Sequence, residues 1–121
     1  MGIANATGLE INAEAREQGT LLCLRGRLTI DSSPAFRAHL LAVLRGPSAQ
    51  AVVIDMSGVS YIDASGIATL IEGLKIARNR QSFLRLTGLQ ERVLHLFEFT
   101  GLLDLFERDG SRSASTALKV P

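Results

Sequence analysis

The chain has 121 residues, 46% hydrophobic and 21% charged, enough for one domain with a real core and with no room for a second. Its formal net charge is +1 and its arginines are scattered singly, so no basic stripe suits it to nucleic acid. Cys23 is the only cysteine, which excludes an internal disulfide, and no apolar run approaches the roughly 20 residues of a membrane span.

The opening MGIANATGLEI lacks a charged region followed by a long apolar one, and Ala6 stands where a myristoylation site needs serine or threonine. The expectation is a cytoplasmic protein without membrane insertion. Leu9 to Arg16 and Thr20 to Arg25 read as strands joined by the polar turn Glu17-Gln18-Gly19, a natural hairpin. Cys23, between Leu22 and Leu24, reads as a small core residue. Ser33 is a candidate N-cap with Pro34 in the first helical position, and Phe36, Leu40, Val43 and Leu44 form an inward stripe before Arg45-Gly46-Pro47-Ser48 stops the helix.

Ala51 to Ile54 is a β-branched run that predicts a strand covered on both faces, closed by Asp55 ahead of the turn residues Met56, Ser57 and Gly58. Strand, helix, strand in this order implies a right-handed crossover and parallel pairing. Asp63 is placed to cap the next helix by accepting hydrogen bonds from its free amides. In that helix Ile67, Leu70, Ile71 and Leu74 recur at helical spacing as the core stripe, which turns Ser65, Thr69, Glu72 and Ile76 outward. Gly66, inside the first turn, costs about 1 kcal/mol against alanine, which suggests a close approach to the backbone. Ile76 sets an apolar side chain on the outward face, as a contact surface would.

Phe83 to Thr87 predicts another strand. Gln90 to Phe99 predicts a helix with Val93, Leu96 and Phe97 inward, ended by Gly101. Leu105 to Glu107 reads as a short edge strand, Arg108 to Arg112 as a mobile polar stretch, and Ser113 to Lys119 as a weak final helix. The sum is a single α/β domain over residues 1–121, a small mixed sheet of about four to five strands packed with about four helices.

The spacing of Val53-Ile54-Asp55, Val59, Tyr61-Ile62-Asp63, Ser65-Gly66-Ile67 and Leu70 resembles the central motif of STAS domains, found in anti-sigma factor antagonists and in the cytoplasmic parts of sulfate transporters. Gly26-Arg27-Leu28 with Asp31 and Phe36, and Gly101-Leu102 with Phe106, extend the likeness over nearly the whole chain. Ala64 stands where many members carry a second hydroxyl residue, and Ala68 replaces a common glycine. The resemblance implies phosphorylation at Ser65, the serine directly before the motif's glycine, by a partner kinase. It implies an antagonist that binds an anti-sigma factor with serine kinase activity when unphosphorylated, is released on phosphorylation, and is restored by a serine phosphatase. Asp63, Ser65, Gly66, Thr69, Glu72 and Ile76 are the expected partner-binding residues, and a homodimer stays open.

Catalytic chemistry is not indicated. His39 and His95 lie far apart without ligands at metal spacing. A hydrolase elbow needs glycines two residues either side of Ser65, where Asp63 and Ile67 stand, and no phosphate-binding loop of the G-x-x-x-x-G-K type is present. Asp55 and Asp63 are better explained as strand end and helix cap than as an acid/base pair. The expectation is a binding protein with no cofactor, metal or catalytic residue. Two alternatives remain: a STAS subunit of a lipid-transport ABC complex that needs no phosphate, and a nucleotide-binding activity that the missing phosphate loop disfavours.

Overall fold

A computed structural model describes residues 2–3, 7–47 and 50–109, with side chains over 7–47 and 50–106. Its elements are β1 (Gly2–Ile3), β2 (Leu9–Arg16), β3 (Gly19–Leu28), α1 (Ser33–Leu44), β4 (Ala51–Ile62), α2 (Ala64–Asn79), β5 (Phe83–Thr87), α3 (Glu91–Thr100) and α4 (Leu102–Asp109). The strands form one sheet in chain order, β1-β2-β3-β4-β5. β1, β2 and β3 pair antiparallel, whereas β3, β4 and β5 pair parallel.

The hairpin forms as expected, with Arg16 opposite Gly19 across the turn. Gly19 is required for a reason outside the turn: a Cβ there would run into the carbonyl oxygen of Ala51 on β4. β4 departs from expectation. It continues past Asp55 to Ile62, and its register against β3 shifts between Cys23 and Arg25 and again between Gly26 and Arg27. The turn-forming residues Met56, Ser57 and Gly58 therefore bulge the strand instead of ending it. The shifts reset the alternation, so that Val52, Ile54, Met56, Val59 and Ile62 are all buried. They also carry β4 alongside β3 as far as Leu28, where the Asp63 amide bonds the Leu28 carbonyl at 3.0 Å.

β4 is not covered on both faces. Val52 and Ile54 are fully buried while Ala51, Val53 and Asp55 between them are half-buried, a pattern of one packed face and one open face. Cys23 shares the open side and is half-buried, not a core residue. Burial and the neighbouring Asp55 push its thiol pKa up.

One apolar cluster unites the packed face with the helices, including Phe36, Leu40 and Leu44 of α1, Leu70 and Leu74 of α2, Val93 and Phe97 of α3, and Leu102 and Phe106 of α4. α1 begins one residue earlier than expected. Ser32 stands at its cap position, its hydroxyl donating to the Arg27 carbonyl at 2.8 Å, and Ser33 is the first helical residue. Val43 is only half-buried, leaving Phe36, Leu40 and Leu44 as the inward stripe. The segment expected as an edge strand, Leu105 to Glu107, is part of α4. Leu102 and Phe106 are four residues apart and both buried, a helical repeat that a short apolar run does not distinguish from a strand. Gly101 ends α3 in the left-handed region at φ 78°, which a residue without Cβ adopts freely. Arg108 and Asp109, expected in a mobile stretch, belong to α4, and the final helix expected over Ser113 to Lys119 lies outside the described residues.

Candidate functional site

Asp63 organises the start of α2. Its backbone is extended, and its carboxylate caps the helix as the sequence implies: Oδ1 accepts from the amides of Ser65 at 2.9 Å and Gly66 at 3.2 Å. The same Oδ1 accepts the Ser65 hydroxyl at 2.6 Å, and Oδ2 accepts the Ile30 amide across from the β3–α1 loop at 2.9 Å. One side chain thus ties the openings of α1 and α2 together. The bond from the Ser65 hydroxyl is the main influence holding Asp63 below the usual carboxylate range, with the Gly66, Ile30 and Ser65 amides acting in the same direction against partial burial.

Ser65 has a second contact. Its Oγ lies 3.1 Å from the Ser33 Oγ of α1. Ser65 has a single hydroxyl proton, and the short bond to Asp63 uses it, so Ser33 donates to Ser65. The chain Ser33 to Ser65 to Asp63 fixes the Ser65 hydroxyl in one orientation, half-buried in a groove between the two helix starts. Farther along, the Arg37 guanidinium of α1 forms a two-pronged ion pair with Glu72 of α2, both contacts at 2.7 Å. Ile30, 71% exposed, stands at the mouth of the groove beside Pro34 and Ala68.

The face predicted to point outward is therefore partly occupied by the protein's own α1. Thr69 is buried, only 7% exposed, with its hydroxyl donating to the Ser65 carbonyl at 3.0 Å. Gly66 is buried, and the close approach that it permits is internal: a Cβ would lie 2.7 Å from Leu28 Cγ and 2.8 Å from Ile62 Cγ1. Ile76 is half-buried and packs against the core cluster. Ile67 and Ile71, expected in the centre of the core stripe, are half-buried as well. The buried side of α2 runs through Gly66, Thr69, Leu70, Gly73, Leu74 and Ala77. Small residues let α1 come close, as Gly73 shows: a Cβ there would lie 2.6 Å from Leu40 Cδ2. Of the expected contact residues, Asp63, Ser65 and Glu72 lie together along the α1–α2 seam, Thr69 is buried but lines the same groove as Ser65, Ile76 is half-buried, and Gly66 is buried against the sheet.

Ser33, Arg37 and Ile30 are the site residues that the sequence reading missed. Ser33 and Arg37 are one turn apart on α1, a spacing that would have placed them on a common face. The remaining candidates stay apart from the site. Asp55 bonds the Ser57 amide at 2.9 Å within the β4 bulge, serving local structure in place of the strand end expected of it. His39 is half-buried on α1 and His95 exposed on α3. Among the described residues no group of three or more histidines, cysteines or acids could hold a metal ion, and no helix is long and apolar enough to cross a membrane.

Residues 11–107 match a family model described as "Mlab, STAS domain". The chain is similar to an anti-sigma-B factor antagonist of Listeria monocytogenes, 46% identical over 54 residues, which covers 45% of this chain and 47% of that one. The match thus spans about half the length of that relative. An anti-sigma-B factor antagonist of Bacillus subtilis is 24% identical over 99 residues, covering 82% of this chain and 89% of the other. Among solved structures, the phosphorylated form of the Bacillus cell fate determinant SpoIIAA shares the fold, with a TM-score of 0.63 at 16% identity over 76% of this chain and 84% of that one.

Proposed function

Because the chain belongs to the STAS domain family, with the family model covering residues 11–107, we propose that it is an anti-sigma factor antagonist working as a phosphorylation-controlled binding switch. In this reading the unphosphorylated protein binds, in the cytoplasm, an anti-sigma factor that is also a serine kinase, and so frees a sigma factor for transcription. The kinase phosphorylates Ser65 and is released, and a serine phosphatase returns the protein to its binding form. The observation that carries the reading is the Ser65 hydroxyl, held by Asp63 and Ser33 at a groove with the exposed Ile30 at its mouth. The names of the Listeria and Bacillus relatives support the role, and the phosphorylated SpoIIAA structure supports a phosphate cycle on this fold.

The physics of the switch is local. A phosphate at Ser65 adds nearly two negative charges beside Asp63. The opening turn of α2 tolerates them, because its amides and dipole favour an anion. A partner seated on the groove would have to desolvate that charge. A penalty of about 3 to 4 kcal/mol weakens binding by two to three orders of magnitude. The binding surface comprises Asp63, Ser65 and Glu72 together with Ile30 and Arg37. Thr69 lines the groove and the half-buried Ile76 flanks it farther along α2, while Gly66 supports it from inside.

A pull-down from host lysate with wild type, Ser65→Ala and Ser65→Glu as baits tests the reading. A kinase-like protein retained by the first two and lost by the third is the expected result. A second reading, a constitutive STAS subunit of a lipid-transport ABC complex, is favoured by the matched family model, whose description names Mlab. It predicts transport subunits held equally by all three baits.

A further inference from the structure

Resting on the reading that Ser65 is phosphorylated, we propose that Arg37 is the residue that binds its phosphate, exchanging Glu72 for the phosphomonoester. Four placements carry this. Ser33 meets Ser65 at 3.1 Å, so the starts of α1 and α2 are level with each other. Arg37 lies one helical turn beyond Ser33, whereas Ser65 and Glu72 lie about two turns apart on α2. Arg37 is thus rooted between them, with its guanidinium bonded to Glu72. It also lines the same groove as Ser65 and Ser33.

Charge and hydrogen bonding decide the direction of the exchange. Phosphorylated Ser65 no longer has the proton that it gives to Asp63, so the Asp63 carboxylate faces the new anion without that bond. Repulsion from Asp63 turns the phosphate oxygens toward the α1 side of the groove, where the Ser33 hydroxyl is free to donate to them. Glu72 offers Arg37 a single negative charge, and the phosphate offers nearly two with three acceptor oxygens matched to a guanidinium fork. The charged groups around the phosphate are Asp63 at the β4–α2 junction, Glu72 on α2 and Arg37 on α1, with Arg45, the residue just past the end of α1, acting on Glu72. After the exchange Glu72 has lost its partner two turns from the modified serine, and the charge pattern of the whole seam has changed.

The test uses the full chain carrying phosphoserine placed genetically at position 65, followed by 31P titration and by the Arg37 Nε–H resonance. In the wild type the resonance should shift on phosphorylation. Arg37→Ala should raise the phosphate's titration midpoint by about half a pH unit, the effect of a surface ion pair of ordinary strength. Arg37→Lys should fall between. Glu72→Gln, which removes the competing carboxylate and leaves Arg37 in place, should lower the midpoint below wild type. An unmoved Arg37 resonance, with a midpoint indifferent to both Arg37→Ala and Glu72→Gln, overturns the proposal. No kinase takes part in making this protein, so failure of the antagonist reading leaves the titration interpretable. An antagonist that loses its partner on phosphorylation while the midpoint ignores Arg37 would instead retain that reading and reject this one.

Discussion

Asp63 and Gly66 are three residues apart and show how differently single positions declare themselves. The cap role of Asp63 was legible because a short carboxylate ahead of a helical repeat has one common use, and the structure adds only the cross-link to Ile30 that sequence spacing cannot reveal. The linkage to pH has a definite sign. Asp63 has a lowered pKa in the folded protein, so its contribution to stability is present above the unfolded value of about 3.9 and is lost as pH falls through the folded value. Thermal unfolding of wild type should therefore decline below pH 4 more steeply than that of Asp63→Asn, and parallel curves would contradict this. Gly66 was legible only as an anomaly. Its neighbour Ile62 ends the strand just before the helix, but Leu28 comes from β3, and no local pattern names it. Gly66→Ala should cost roughly 1 to 3 kcal/mol by overpacking, despite alanine's better helix propensity. At Gly73 the atom met first is the flexible end of Leu40, so Gly73→Ala should be much milder, and denaturant unfolding of the pair checks the order.

For the elements, hydrophobic spacing located most of them and misjudged faces where glycine and threonine are buried. The large apolar residues of α2 predict a single stripe, but the helix packs on both the sheet and α1, with Gly66 against Leu28 and Ile62 of the strands and Gly73 against Leu40 of α1. The two glycines carry little hydrophobic signal. Leu70 lies where both readings agree. Leu70→Ala should cost about 2 to 5 kcal/mol as a core truncation, measured by chemical denaturation, and a negligible change would refute the face assignment. Met56, Ser57 and Gly58 are turn formers that predict an end to β4 at Asp55, yet a bulged strand beside a parallel partner uses the same residues. α4 was mistaken for a strand because its apolar run is short, and the docking of Phe106 into the core decides the matter.

Across the molecule, the mixed sheet with helices on its packed face was legible from element order, whereas the seam between α1 and α2 was not. Nothing in the spacing of either helix states that Ser33 meets Ser65 or that Arg37 reaches Glu72. The site emerges only when the β3 and β4 ends bring two helix openings together, and the proposed switch is that one hydroxyl controls a surface drawn from both helices. The most direct test of that claim is calorimetric titration of the purified anti-sigma partner with the Ser65→Ala protein and with protein carrying phosphoserine at position 65. The account predicts tight binding by the first and an affinity lower by two to three orders of magnitude for the second, with the two proteins unchanged in fold. Equal affinity would contradict it, and Ser65 would then be only a residue of the helix start.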